Sequence, residues 1–503
     1  MIVKSNHILI FINIFRGTFL PFPYLCWAKL TRHIQQNLNR MGKYVLGIDV
    51  GTTSIKVVLL EQGSKAIAAC YSLPTASDFV DSSGLQTHEQ ETGIIISTLN
   101  KCIALLPREK LLNVSRIGVS GQMHGVLFWK SKTGCDWQNR DFFVVKDTSQ
   151  LVTWQDGRCS AHFLSSLPTP NAHLAVATGF GCATIFWFLR NRPEFLSDFS
   201  VAGTIQDYVV SMLCGLDRCV MTPHNAASWG FFNTTTSQWN TEILSEAGFP
   251  VVLLPECVVA GGTAGRTVSD WHGIPAHTPV GAALGDFQCS VYHCMASPTD
   301  AVLNIGTSAQ LTYAMPGEFR PPDAPESGSP ISYFPYFDES YLAVAASLNG
   351  GNALATFVGM LSSWMKDLGV EGGGGGDSSL YATLNSVALG QPPSDLAVRP
   401  TLLGERHRPQ LRGSVANATA GNLSLGHVTR ALCRGIVDNL TAMMPAALLG
   451  EAGVRRVLGC GSALSRNPVL WEEAERALLP LPLERSQTAD SAVGVAMVVC
   501  DRL

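Results

Sequence analysis

Asp49-Val50-Gly51-Thr52-Thr53-Ser54 and Asn304-Ile305-Gly306-Thr307-Ser308 each follow an apolar run of β character, and they lie about half a chain apart. This duplicated strand-end turn constrains the fold most, because two such turns at that spacing call for a chain built as two domains. Glycine followed by hydroxyl residues presents backbone N–H groups and O–H donors to an anion, and the missing Cβ lets a phosphate approach closely. Two of them facing a cleft hold a polyphosphate from both sides. One such turn alone more often only joins strands, so the pair carries the reading.

The first copy carries more chemistry. Tyr44–Val50 reads as a buried strand and Ser54–Leu60 as its β-branched return, so Asp49 stands at the strand end facing the site. A carboxylate beside a phosphate cradle is repulsive unless a cation lies between them, and Mg²⁺ with retained waters is the usual intermediary. Lys56 adds positive charge near the phosphates in this reading. The matching position of the second copy is the neutral Asn304, which suggests one metal-side loop and one hydrogen-bonding loop.

A chain of 503 residues, 46% hydrophobic and 15% charged, is long enough for two or three cores. Its formal net charge of −4 argues against a nucleic-acid-binding surface. Fourteen cysteines are scattered without a Cys-x-x-Cys pair, the pattern of reduced, mostly buried thiols in a cytosolic protein. Residues 1–40 differ, with no acidic residue, five Lys/Arg and the apolar run Ile8–Phe15. That run is too short to span a bilayer and no clean cleavage site follows it; a transit peptide would be richer in Ser and Arg. Because Met41-Gly42-Lys43 directly precedes the first strand, residues 1–40 are expected to be an extension outside the fold, with a signal or transit segment as alternatives.

Between the two turns the chain alternates strands and helices, and polar groups gather at strand ends, where α/β proteins keep ligand contacts. Arg116–Ser120 delivers Gly121-Gln122-Met123-His124-Gly125, and Leu151–Trp154 leads into Gln155-Asp156-Gly157-Arg158. This mixture suits a polyhydroxylated substrate: amide and carboxylate groups for hydroxyls beside an aromatic wall. The packing alternatives are a satisfied core His124, an Asp156–Arg158 pair closed on itself and Trp154 as filler. Gly285-Asp286 ends a small-residue run about twenty residues before Gly306. A carboxylate there can accept the proton of an attacking sugar hydroxyl, or act only as a helix cap. Gly459-Cys460-Gly461-Ser462-Ala463 follows the strand Val454–Leu458 and opens a helix; its glycines suit a flat nucleoside or close helix packing.

In this order, Gly47–Ser54, Gly121–Gly125, Trp154–Arg158, Gly285-Asp286, Gly306–Ser308 and Gly459–Ala463 resemble the FGGY carbohydrate kinases. The likeness covers everything but residues 1–40. It implies an α/β architecture of two ribonuclease H-like (actin-like ATPase) domains, with ATP and a sugar in the cleft between them. Carried over by position, Asp49 organises Mg²⁺; Gly51, Thr52, Thr53, Ser54, Lys56, Gly306, Thr307 and Ser308 serve the phosphates; and Gly459, Gly461, Ser462 and Ala463 line the adenosine. Gln122, Met123, His124, Asp156 and Arg158 contact the sugar, and Asp286 is both sugar ligand and catalytic base. The Gly-Gln-Met-His-Gly loop is closer to the ketose kinases than to the glycerol kinases. Leu151–Ser160, Ala177–Trp187, Ala346–Asn352 and Leu403–His407 resemble the subgroup acting on sedoheptulose.

Two positions depart from the family pattern: Thr184 stands where many members have lysine, and Arg434 where an acid is common. Both are read as subgroup features. The expected domains are 41–298, with the sugar and the first phosphate loop, and 299–503, with the second loop and the adenosine site. Pro321–Pro330 reads as a surface loop and Glu371–Asp377 as a glycine-rich mobile run without a catalytic role. The runner-up readings are another ketose kinase, such as a xylulokinase, and a sugar-sensing pseudokinase. The latter would be expected to lose Asp49 or Asp286, and both are present. A cytoplasmic enzyme with no membrane partner is expected.

Overall fold

Apolar residues alternate with glycine and a single acid along Tyr44–Val50, and this strand turns at residues 51–53 into its antiparallel partner Ser54–Glu61, pairing Asp49 with Lys56 and Val50 with Ile55. On its other side it runs parallel to Val114–Gly121, pairing Asp49 with Ser120. The structure is a computed structural model and describes residues 44–79, 87–326, 328–370, 377–486 and 489–503. The expected extension 1–40 and residues 371–376 of the glycine-rich run lie outside the described residues.

The same pattern occurs twice. In the first sheet, Ile67–Pro74, Ser54–Glu61, Tyr44–Val50 and Val114–Gly121 lie side by side, with antiparallel, antiparallel and parallel contacts. In the second, Tyr341–Ser347, Ala309–Ala314, Asp300–Ile305 and Arg456–Cys460 repeat that order and those directions. Asn304 thus pairs in parallel with Cys460 as Asp49 does with Ser120. The expected hairpins are both present, and each glycine turn closes with its N–H donating to the carbonyl three or two residues on, Gly51 to Ser54 and Gly306 to Ser308.

Each sheet has its own core. Ile48, Val50, Ile55, Val57 and Leu59 are buried with Ile95, Leu99 and Ile103 of the helix Thr92–Ala104. Leu303, Ile305, Leu311 and Ala345 are buried with Leu432, Ile436 and Leu440 of the helix Leu425–Met443. At about 1.5–3 kcal/mol for each fully buried aliphatic side chain, these layers hold the two turns in place.

The expected boundary at 298/299 falls between the last strand of the first sheet, Leu284–Gly285, and the first of the second, Asp300–Ile305. The end of the chain differs from the expected second domain. After Leu483–Arg485 closes the second sheet, the helix Ser491–Arg502 returns to the first and buries Ala492, Val493, Ala496 and Val499 against Val45, Val58 and Leu60. Small residues make the contact possible. A Cβ added at Gly47 would lie 2.0 Å from the Ala492 carbonyl oxygen, and one at Gly494 would lie 1.9 Å from that of Cys289 on the helix Asp286–Cys294. Gly494→Ala should therefore lower stability by about 1–3 kcal/mol, read as a fall in the urea midpoint. Gly359→Ala, on an exposed helical position where an added Cβ meets nothing within 4 Å, should not lower it.

Candidate active site

The loop after Val114–Gly121 is built around a strained residue. His124 adopts a positive φ of 73°, its N–H donates to Ser228 Oγ (3.1 Å), and its ring Nδ1 lies 2.8 Å from the Ser228 carbonyl. A carbonyl only accepts, so Nδ1 carries the proton and Nε2 is left as an acceptor. Phe180 stacks on the ring at 4.4 Å. Burial, with a smaller push from the nearby Arg406 guanidinium, lowers the His124 pKa to about 4, so the ring is neutral at physiological pH. Met123 is 7% exposed and covers Gly285, where an added Cβ would lie 2.8 Å from its sulfur. The Gly121–Gly125 loop and the approach to Asp286 are thereby adjacent.

Asp286 is the first residue of its helix; Gly285 is the N-cap, so the carboxylate is not the cap considered from the sequence. Its Oδ1 accepts from the Phe287 N–H (2.7 Å), while burial and, next, the Asp49 charge raise its pKa to about 7. Asp49 accepts from Ser120 Oγ (3.2 Å). Its pKa is also raised, chiefly by burial, with Asp490 adding to the rise while the Ser491 and Ser120 hydroxyls oppose it. Asp49 and Asp286 are therefore close enough to feel one another's charge, with Asp490 adding a third carboxylate to the neighbourhood of Asp49. Lys56, expected at the phosphates, forms an ion pair with Asp490, the residue that caps the returning helix Ser491–Arg502.

Thr52 stands in a closed ring of hydrogen bonds. Its hydroxyl donates to Gln122 Oε1 (3.2 Å), Gln122 Nε2 donates to Gln90 Oε1 (3.1 Å), and Gln90 Nε2 donates back to the Thr52 carbonyl (2.8 Å). Trp154 Nε1 donates to the same hydroxyl (3.0 Å), and the half-exposed indole forms the expected aromatic wall. The ring locks the first turn to the sugar loop, leaving Thr53 as the exposed hydroxyl of that turn. In the second turn Thr307 and Ser308 are both exposed, and the place a Cβ would take at Gly306 is empty within 4 Å, a cradle of the kind a phosphate oxygen fills.

Asp156 and Arg158 differ from their expected place on the sugar. Asp156 is fully buried; its Oδ1 accepts from Arg158 N–H (3.0 Å) and Nε (2.8 Å), and its Oδ2 from the His88 N–H (2.8 Å) and Arg158 Nη2 (2.9 Å). The guanidinium also pairs with Glu89 and lies over the rings of Trp187 and Phe188. Both groups are spent on one another, so here the packing alternative describes the geometry. Gly459 differs too: it is buried, and a Cβ there would lie 2.8 Å from the Trp471 ring, so this glycine makes room for an indole. Gly461 has φ 93° and a Cβ there would lie 2.4 Å from the Ile305 carbonyl oxygen. The exposed Ser462 and half-buried Ala463 follow, with Ala463 beside Gly351, whose N–H donates to Gly306 (2.8 Å). The Gly461–Ala463 loop and the turn at Gly306 are thus neighbours.

Several contributors were missed by the sequence reading. Gln90, Asp490 and Ser491 sit in featureless segments, and only an Asp-Ser pair opening the last helix marks the latter two. Glu405 was noted only as part of a subgroup segment. It is buried and accepts from Ser347 Oγ (2.7 Å), Asn349 Nδ2 (2.9 Å) and Asn439 Nδ2 (2.8 Å), which fixes the backbone next to Arg406, whose charge acts on His124.

The family model for the FGGY family of carbohydrate kinases, N-terminal domain, matches residues 44–292. The chain is 54% identical over 468 residues to sedoheptulokinase from Homo sapiens and 53% identical over 466 residues to that from Mus musculus, in each case covering 91% of this chain and 97% of the relative. Its fold matches the crystal structure of xylulose kinase from Rhodospirillum rubrum with a TM-score of 0.74 at 18% identity, covering 91% of this chain and 89% of that one. The chain belongs to the FGGY family of carbohydrate kinases, and the duplicated sheets are the two-domain actin-like ATPase fold.

Arg158→Met should separate a structural clamp from a sugar ligand. It leaves a buried Asp156 uncompensated, a cost of about 3–5 kcal/mol. A fall in melting temperature with the sugar KM changed less than about threefold is the expected result; a large KM rise at unchanged melting temperature would return the pair to the sugar.

Proposed function

We propose that this chain transfers the γ-phosphate of ATP to the terminal hydroxyl of sedoheptulose, giving sedoheptulose 7-phosphate. The observation that carries the chemistry is Asp286: a carboxylate at a helix start, its pKa raised to about 7, beside the sugar loop and facing Asp49. The choice of acceptor rests on the relatives named sedoheptulokinase, which match over nearly their whole length.

In this reading His124 Nε2 and the Met123 surface receive the sugar, and Trp154 walls it. Gly306, Thr307 and Ser308, with Thr53 and the backbone of the first turn, orient the phosphates, and Gly461, Ser462 and Ala463 take the adenosine. Asp286 accepts the proton of the attacking hydroxyl as the new O–P bond forms and the bond to ADP breaks. Positioning and charge neutralisation supply most of the rate, because the transition state demands little covalent work from the protein.

Mg²⁺ fits the donor set. Asp49 and Asp286 offer hard oxygen atoms whose mutual repulsion is offset only weakly by Lys56, which is paired with Asp490, so that the Asp49 pKa stays raised. Among the described residues no cluster of three or more His, Cys, Asp or Glu side chains surrounds this point, so phosphate oxygens and waters would complete the shell. Such an ion would neutralise charge on the phosphates; Asp49 and Ser120 would hold it at the strand end.

The reading extends to a cytoplasmic enzyme that feeds a free seven-carbon sugar into the pentose-phosphate pool. The described cysteines are all free, and no helix among the described residues is long and apolar enough to cross a membrane.

Parallel assays with sedoheptulose, D-xylulose, D-ribulose and glycerol should give the highest kcat/KM with sedoheptulose; a preferred pentulose would overturn the acceptor. Asp286→Asn should lower kcat by about 10²–10⁴ while ATP affinity stays within about threefold. In the wild type, kcat/KM should rise with pH through about 7, because Asp286 works as the base only once its raised pKa is passed. Mg²⁺ should move that limb to lower pH by favouring the carboxylates. His124, already neutral, should add no limb between pH 5 and 8.

A further inference from the structure

We propose that a second cavity, of about 430 Å³ between the hairpin Ala397–Arg399/Ser414–Ala416 and the helix Leu425–Met443, is an effector site for a small phosphorylated polyol. Its volume lies in the range of small-molecule sites. Its walls carry an excess of positive charge from Arg399, Arg408 and Arg434, in a chain whose formal net charge is −4.

The excess is not cancelled locally. Arg434, the position that departs from the family pattern, donates through Nη1 to the Ser394 carbonyl (2.6 Å) and through Nη2 to that of Leu396. Carbonyls fix the guanidinium without neutralising it. Among the described residues neither Arg399 nor Arg408 has a carboxylate within ion-pair distance. The carboxylate on the wall, Asp438, already accepts from Arg476 Nη2 (2.8 Å). Three guanidinium groups around one cavity, two of them exposed, favour an anion there, and their planar forks match phosphate oxygens. The Ser414 hydroxyl and the Asn439 amide offer hydrogen-bond partners to the remainder of a polyol phosphate, and Met443 lines the same cavity.

The cavity is also wired to the second phosphate turn. Asn439 lines it and donates through Nδ2 to Glu405 Oε1 (2.8 Å) and Ser347 Oγ (3.1 Å). Ser347 leads into Gly350, which packs so closely on Ser308 that an added Cβ would lie 2.6 Å from the Ser308 carbonyl carbon. An occupant that draws on Asn439 therefore acts on the loop that presents the γ-phosphate, and its effect is expected in the KM for ATP.

The test uses the full chain with its cleft saturated by sedoheptulose and a non-hydrolysable ATP analogue, titrated calorimetrically with fructose 6-phosphate at constant ionic strength. Binding should persist with the cleft filled, and should weaken at least tenfold in Arg399→Glu/Arg408→Glu. That variant should melt with the wild type and keep its basal turnover within twofold. In separate assays fructose 6-phosphate should shift the wild-type KM for ATP at least twofold and leave that of the variant unchanged. Arg399→Gln alone serves if the double variant melts early. Displacement by the cleft ligands, equal affinity in the variant, absence of binding at millimolar concentration, or an unmoved KM would each overturn the effector assignment. Should the sugar comparison favour another acceptor, that acceptor replaces sedoheptulose as the cleft ligand, so the effector assignment and the acceptor assignment fail separately.

Discussion

The glycine-lined seam that admits the last helix to the first sheet is the constraint on which the site depends. Gly47 and Gly118 open the face of two adjacent strands to the helix Ser491–Arg502, and Gly494 lets that helix touch the one beginning at Asp286. The consequence is electrostatic as well as steric. Docking carries Asp490 to Lys56 and the Ser491 hydroxyl to Asp49. The helix beginning at Asp286 is held by the same contact, so the placement of Asp286 relative to Asp49 is set by backbone packing rather than by flexible side chains. Interiors packed at crystal-like density transmit such constraints well.

The duplicated hairpins become unequal through what surrounds them. Asp49 and Asn304 occupy equivalent register positions, yet the first turn is laced to the sugar loop through Thr52, Gln122 and Gln90, whereas the second exposes both Thr307 and Ser308. The first strand end thus gathers negative charge and the Gly121–Gly125 loop proposed for the acceptor sugar. The second offers uncommitted hydroxyl donors beside the Gly461–Ala463 loop. A reaction that moves a phosphoryl group from a nucleotide to a sugar needs this division, because the donor must be held by groups that do not compete with the acceptor's hydroxyls.

Those parts of the site that depend on local backbone chemistry were legible in the sequence. A glycine turn between apolar runs reads as a hairpin, and both glycine-threonine turns are hairpins; Gly121–Gly125 was read as a connection between two strands, and it joins Val114–Gly121 to Leu127–Trp129. Side-chain commitments across long separations were not legible. Lys56 and Asp490 stand 434 positions apart, and nothing near Lys56 signals that its charge is taken. Asp156 and Arg158 mislead for a different reason: a polar strand end looks the same whether its groups face a ligand or one another, and only burial separates the cases. Gly459 was read as room for a nucleoside because a glycine records that something approaches closely without recording what; here it is Trp471.

The same distinction bears on Arg434. Read in sequence, an arginine in place of an acid weakens a family signature; read in the fold, it sits on a helix face away from Asp49 and Asp286, holding backbone carbonyls at the wall of a separate cavity. An acid at that point would repel any anion, whereas the arginine joins Arg399 and Arg408 in attracting one. Under the effector proposal the charge at this position belongs to sensing and leaves the proposed catalytic positions untouched, and Asn439, which touches both that pocket and Glu405, would be the link between the two.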